Sequence, residues 1–124
     1  MAEITLFQNE QNTEPFEARQ TIFREGEPGD ALFVVVEGEL DVQVAGKTVE
    51  IVRPGGIVGE MALIDREPRS ATVLARTSGR FVRIDEKRFM FLVQQTPFFA
   101  LQVMRIMAER LRRMDSRVGK KEPG

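Results

Sequence analysis

Between positions 20 and 84 the apolar residues recur in short runs separated by glycine and proline, and these runs predict strands over 20–23, 31–37, 39–44, 47–53, 70–75 and 79–84. Short runs of this kind, alternating or wholly apolar and bounded by turn formers, point to an antiparallel all-β architecture. Leu40, Val42 and Val44 fall on one face of their run and Asp41 and Gln43 on the other. Ala45-Gly46 then turns the chain toward Val49 and Ile51, which predicts a hairpin with one buried face. Pro54-Gly55-Gly56 ends the pattern before Ile57 and Val58. Past position 85 the apolar period lengthens to that of a helix. Asp85 is placed to cap a helix over 86–95 with Phe89, Leu92 and Val93 on its apolar face, and Thr96-Pro97 opens a second helix over 97–117.

That last helix carries two apolar stripes. Phe99, Val103 and Ile106 suit packing on the sheets, whereas Ala100, Met104, Met107, Leu111, Met114 and Val118 follow a heptad-like spacing that suits a partner helix. The plainer alternative is one broad core-facing surface, since methionine adapts to many neighbours. The predicted fold is mainly β with helices: an antiparallel β-barrel or jelly roll, then a hinge helix and a long C-terminal helix. Residues 1–18 form a polar, acidic segment of weak order with Ile4, Leu6, Phe7 and Phe16 as anchors; residues 19–118 form the domain, and 119–124 a polar tail.

Composition narrows the chemistry. A chain of 124 residues supports one hydrophobic core. With no cysteine, histidine, tryptophan or tyrosine it has no disulfide, no thiolate or imidazole catalyst and no Cys or His metal ligand, so neither an enzyme nor a metal site is expected. A net charge of −1 gives no general attraction to nucleic acid or to an acidic membrane. Arg110, Arg112, Arg113, Arg117, Lys120 and Lys121, with Glu109 at helical spacing, read as a solvated, ion-paired face rather than a phosphate-contact stripe. No signal-like or long apolar segment is visible, so a cytoplasmic protein is the expectation.

The segment 59–73, GEMALIDREPRSATV, concentrates the candidate chemistry. Gly59 permits a tight turn into a helix-compatible run over 60–64, whose first N–H groups lack partners and attract anions. Nine positions after Glu60 stands Arg69, introduced by Pro68, and its planar fork suits a phosphate. Glu60 would repel that phosphate, so its oxygens are better matched to hydroxyl donors such as those of a ribose. A strand over 70–75 would give the arginine a rigid base. Taken singly, the glutamate and the arginine favour the plainer reading of ordinary turns and a surface salt bridge; taken with the glycine pattern and the spacing, they favour a ligand site.

This segment resembles the phosphate-binding cassette of the cyclic nucleotide-binding domain family, which includes catabolite-activator-type regulators, cyclic nucleotide-dependent kinases and gated channels. The resemblance extends over about residues 17–115. It takes in the glycine turns of Ile22-Phe23-Arg24-Glu25-Gly26-Glu27-Pro28-Gly29-Asp30, the run from Leu32 to Leu40, and the closing helix from Pro97 to Met114. It implies that Glu60 meets the ribose 2′-OH and Arg69 the cyclic phosphate, with the backbone at Gly59, Met61, Ala62 and Ser70 completing the anion site. It further implies a lid over the base, for which Leu101, Met104, Met107 and Leu111 are candidates, and hinge packing by Phe89 and Phe91. The ligand is expected to be cAMP, with cGMP second because the Ser70 hydroxyl could reach a guanine amino group. Unlike the bacterial regulators, the chain shows no helix-turn-helix after 117, so a stand-alone sensor is expected, paired through its last helix and acting on an unidentified downstream protein. A ligand-free dimerisation module of the same fold is the alternative reading; a phosphoester-cleaving enzyme fits the residues less well.

Overall fold

The computed structural model describes residues 2–121, and the side chains of 115–121 lie outside the description. Eight strands and three helices follow in the order β1 (Glu14–Phe16), β2 (Thr21–Phe23), β3 (Ala31–Glu37), β4 (Leu40–Val44), β5 (Lys47–Val52), β6 (Ile57–Val58), α1 (Glu60–Ile64), β7 (Thr72–Ala75), β8 (Gly79–Asp85), α2 (Glu86–Gln95) and α3 (Pro97–Lys121). The strands form two antiparallel four-stranded sheets, ordered β1-β8-β3-β6 and β2-β7-β4-β5. The jelly-roll expectation is met, but the sheets do not close into a barrel: β1 and β6 edge one sheet, and β2 and β5 the other.

The unbroken apolar run ALFVVV in β3 follows from burial on both faces, because side chains alternate across a strand. Phe33 and Val35 point between the sheets, where they join Phe16, Phe23, Leu40, Val73 and Phe81. Leu32 and Val34 point the other way, into a second core with Val82, Ile84 and the helices. The stripe Phe99, Val103 and Ile106 of α3 is buried in that second core, as its spacing implied. Burying a side chain of this size contributes about 1.5–3 kcal/mol, so the stripe holds the near half of α3 on the first sheet.

Several elements depart from the sequence reading. β1 was not foreseen; it is three residues containing Pro15 and lies at a sheet edge, where a missing N–H is tolerated. Ile4, Phe7 and Phe16 are buried anchors, but Leu6 is exposed. In the β4–β5 hairpin Leu40 is buried while Val44 and Val49 are exposed, because their face looks onto a cavity rather than a packed sheet. β7 begins at Thr72, not at 70. The Arg69 backbone is instead fixed by two hydrogen bonds to the preceding turn, Gly26 N–H to Arg69 O and Arg69 N–H to Glu27 O, each 2.8 Å.

Asp85 caps α2 as expected, accepting from the Arg88 N–H at 2.8 Å. Phe89 meets Phe99 edge to face, but Phe91 projects outward and takes no part in hinge packing. Thr96 joins α2 to α3 through its backbone, donating to Leu92 O and accepting from the Phe99 N–H. α3 continues to Lys121, through positions read as tail. Val118 of the heptad stripe lies outside the described side chains.

Candidate functional site

A cavity of about 390 Å³ opens between the 59–71 segment, the β4–β5 hairpin and α3. This is within the usual range for small-molecule sites. Gly59, Glu60, Met61, Ala62, Arg69 and Ser70 all line it, so the structure brings together every residue singled out in the cassette. Gly59 adopts a left-handed φ of 83° that a side chain would strain, and this turn starts α1 into the cavity wall. The hairpin supplies an apolar wall, with Val42, Val44 and Val49.

Arg69 is the unusual residue. It is 7% exposed, and among the described residues no carboxylate pairs with it. Its Nη1 donates to the carbonyls of Ala31 (2.8 Å) and Gly59 (3.1 Å), and its Nε–H is buried without an acceptor. The guanidinium lies over the Phe23 ring, 4.1 Å from its centroid. It fits a slot between two glycines: a Cβ at Gly29 would stand 2.2 Å from Nε, and one at Gly59 would stand 2.5 Å from Nη1. Burial pushes its pKa below the ordinary arginine value, with Asp30 opposing that shift, and arginine remains a cation throughout the working pH range. A desolvated cation with donors to spare favours an anion that can enter the cavity.

Glu60 and Arg69 form no salt bridge with each other, so the surface-pair alternative does not apply. The partner of Glu60 is Arg110 of α3, whose Nη1 donates to Glu60 Oε1 at 2.7 Å. Arg110 also grips Glu50 of β5 with Nε and Nη2 (3.0 and 3.1 Å) and donates to the Ile57 carbonyl. Burial opposes the Arg110 charge, but attraction to Glu60 and the hydrogen bond and charge of Glu50 outweigh it, and its pKa is raised.

Arg110 and Glu50 were missed in the sequence. Arg110 was assigned to a solvated face, yet its side chain is only 18% exposed. The available signal was position: 99, 103, 106 and 110 continue one helical stripe, so a charge at 110 falls on the packed side. The lid candidates Leu101, Met104, Met107 and Leu111 do not line the cavity; α3 presents Arg110, Arg113 and Met114 there. Met107 packs against the second core, and Leu101, Met104 and Leu111 are exposed. Among the described residues no cluster of acidic side chains is placed to hold a metal, and no helix is long and apolar enough to cross a membrane.

Comparison with known proteins agrees with this geometry. Residues 13–96 match the family model described as cyclic nucleotide-binding domain. The chain is 45% identical over 83 residues to a cyclic nucleotide-gated potassium channel from Mesorhizobium japonicum, covering 67% of the chain and 23% of the channel. It is 41% identical over 78 residues to a cGMP-dependent protein kinase from Caenorhabditis briggsae, covering 63% of the chain and 10% of the kinase. The chain thus spans a quarter or less of these two relatives. Among solved structures, the catabolite activator protein of Thermus thermophilus superposes with a TM-score of 0.77 at 26% identity, covering 87% of this chain and 53% of that one.

Proposed function

The chain belongs to the cyclic nucleotide-binding domain family, and from that premise we propose that it is a non-catalytic sensor holding a cyclic nucleotide, cAMP before cGMP, in the cavity beside Arg69. The observation that carries the reading is the buried Arg69 guanidinium, which lines the cavity and has no acidic salt-bridge partner among the described residues. In this reading the cyclic phosphate meets Arg69, the Ser70 hydroxyl and the amides at the start of α1. The ribose 2′-OH donates to Glu60, and the base lies against Val42, Val44 and Val49. Met114, one turn beyond Leu111 and at the cavity rim, takes the lid role in place of the four earlier candidates. At about 0.3 kcal/mol per ligand atom, the expected Kd is on the order of one to ten micromolar.

Ligand position and α3 position are coupled in this proposal, and α3 pairs with a second copy through its exposed side. Met104, Leu111 and Met114 support that pairing, because a row of exposed apolar side chains on one helix favours association. A downstream protein would then read the paired state. The similar channel and kinase are named for cyclic nucleotides, and the similar Mycobacterium tuberculosis regulator for cAMP, which supports the ligand class without separating the two bases. Titration with fluorescent cAMP and cGMP analogues, followed by competition with the unlabelled nucleotides, tests the reading. Absence of tryptophan and tyrosine keeps the protein background low. Binding of neither analogue at ~1 mM would refute it.

A further inference from the structure

Three consecutive elements, β5, β6 and α1, meet at one guanidinium of the distant helix α3. The apolar stripe of α3 packs on the sheet containing β3 and β8, whereas the Arg110 contact with Glu50 reaches the other sheet through β5. The same guanidinium donates to Glu60 of α1 and to the carbonyl of Ile57 on β6. Glu50 receives it with both oxygens, in the fork-to-fork geometry that fixes orientation as well as distance, and Arg113 approaches Glu50 at 3.5 Å. Glu50 and Glu60 are 21% and 12% exposed, so the network is partly shielded from water and from salt.

We infer that Glu50 is a positioning residue of the ligand response: its carboxylate holds Arg110, and through it α3, against the Glu60 carboxylate that faces the ligand. This role rests on the reading that the cavity takes a cyclic nucleotide. A ligand hydroxyl that donates to Glu60 joins a network whose other end is α3, so occupancy and helix docking share one free energy. By reciprocity, whatever loosens the helix end weakens the ligand end by the same factor. Glu50 also lines the cavity, and its role in this scheme is to orient Arg110. Without it the guanidinium keeps the Ile57 carbonyl and a single oxygen of Glu60, and the fork is no longer fixed.

The test uses the 124-residue chain as wild type, Glu50→Gln, Arg110→Lys and the double variant. Hydrogen exchange over residues 106–114 is measured without ligand, and the fluorescent cAMP and cGMP analogues are titrated in parallel. Glu50→Gln is expected to speed exchange in that stretch about 10-fold and to weaken binding roughly 5- to 20-fold. Arg110→Lys keeps the charge but loses the fork, and is expected to match it. The double variant is expected to be within about 2-fold of either single one, because both remove the same contact. Unchanged exchange and affinity in Glu50→Gln, or losses that multiply in the double variant, would overturn the role while leaving the ligand reading intact. Wild-type protein that binds neither analogue would instead remove the ligand reading and the coupling with it.

Discussion

Two arginines line one cavity, Arg69 buried and Arg110 partly buried, and their charges are balanced in opposite ways. Arg110 is surrounded by two carboxylates and a carbonyl, and its pKa is raised. Arg69 is the less exposed of the two, donates hydrogen bonds only to carbonyls and lies over aromatic rings, and burial lowers its pKa against the opposing pull of Asp30. A satisfied cation clamps protein to protein, whereas a cation left without a counter-ion marks the place where an anion from outside would lower the energy. Burial alone would not have separated the two; the identity of the partners does.

The comparison implies that removing each arginine should damage a different property. The largest effect is expected on binding: Arg69→Ala should weaken cyclic nucleotide affinity about 100-fold, the loss of roughly 3 kcal/mol of charge-assisted hydrogen bonding. Its melting temperature should fall only modestly, because the Ala31 and Gly59 carbonyls lose their donor while an unpaired buried N–H leaves with the same side chain. Arg110→Met should do the reverse in stability, stranding Glu50 and Glu60 and costing about 1–3 kcal/mol after allowance for partial exposure. Thermal unfolding would show this as a Tm lowered by roughly 4–12 °C.

A subtler test keeps Arg69 and disturbs only its slot. Gly29→Ala places a methyl 2.2 Å from where Nε lies, so the guanidinium must shift, and affinity should fall about 10-fold with little change in Tm. Gly29 has no left-handed φ to confuse the result. The smallest expected effect on binding is that of Leu111→Glu on the exposed side of α3. It should change affinity less than about 3-fold while abolishing any self-association seen by sedimentation.

Much of the architecture was readable from local pattern, because the strands and helices here obey their own periodicities. The run over 31–37, the five-residue helix at 60–64 and the Asp85 cap lie where an apolar run, the Gly59 turn and capping chemistry, respectively, place them. The cassette residues were readable for the same reason: they sit within eleven positions of one another, so spacing carried the geometry. What escaped was long-range. β1 exists only because β8 offers Glu14–Phe16 an edge, and Arg110 meets partners 50 and 60 positions upstream. Val44 and Val49 look like core in the sequence, because an apolar wall around a cavity has the same pattern as one against a packed sheet. The lid candidates were chosen by apolarity, whereas the turn of α3 that reaches the cavity is set by the stripe packed on the first sheet.

The central claim is that Arg69 is held ready for an anion. Isothermal titration of cAMP into wild type and Arg69→Ala, side by side in the same buffer, tests it most directly. The account predicts a Kd on the order of one to ten micromolar for the wild type and one about 100-fold weaker for the variant. Equal affinities in the two proteins would contradict it.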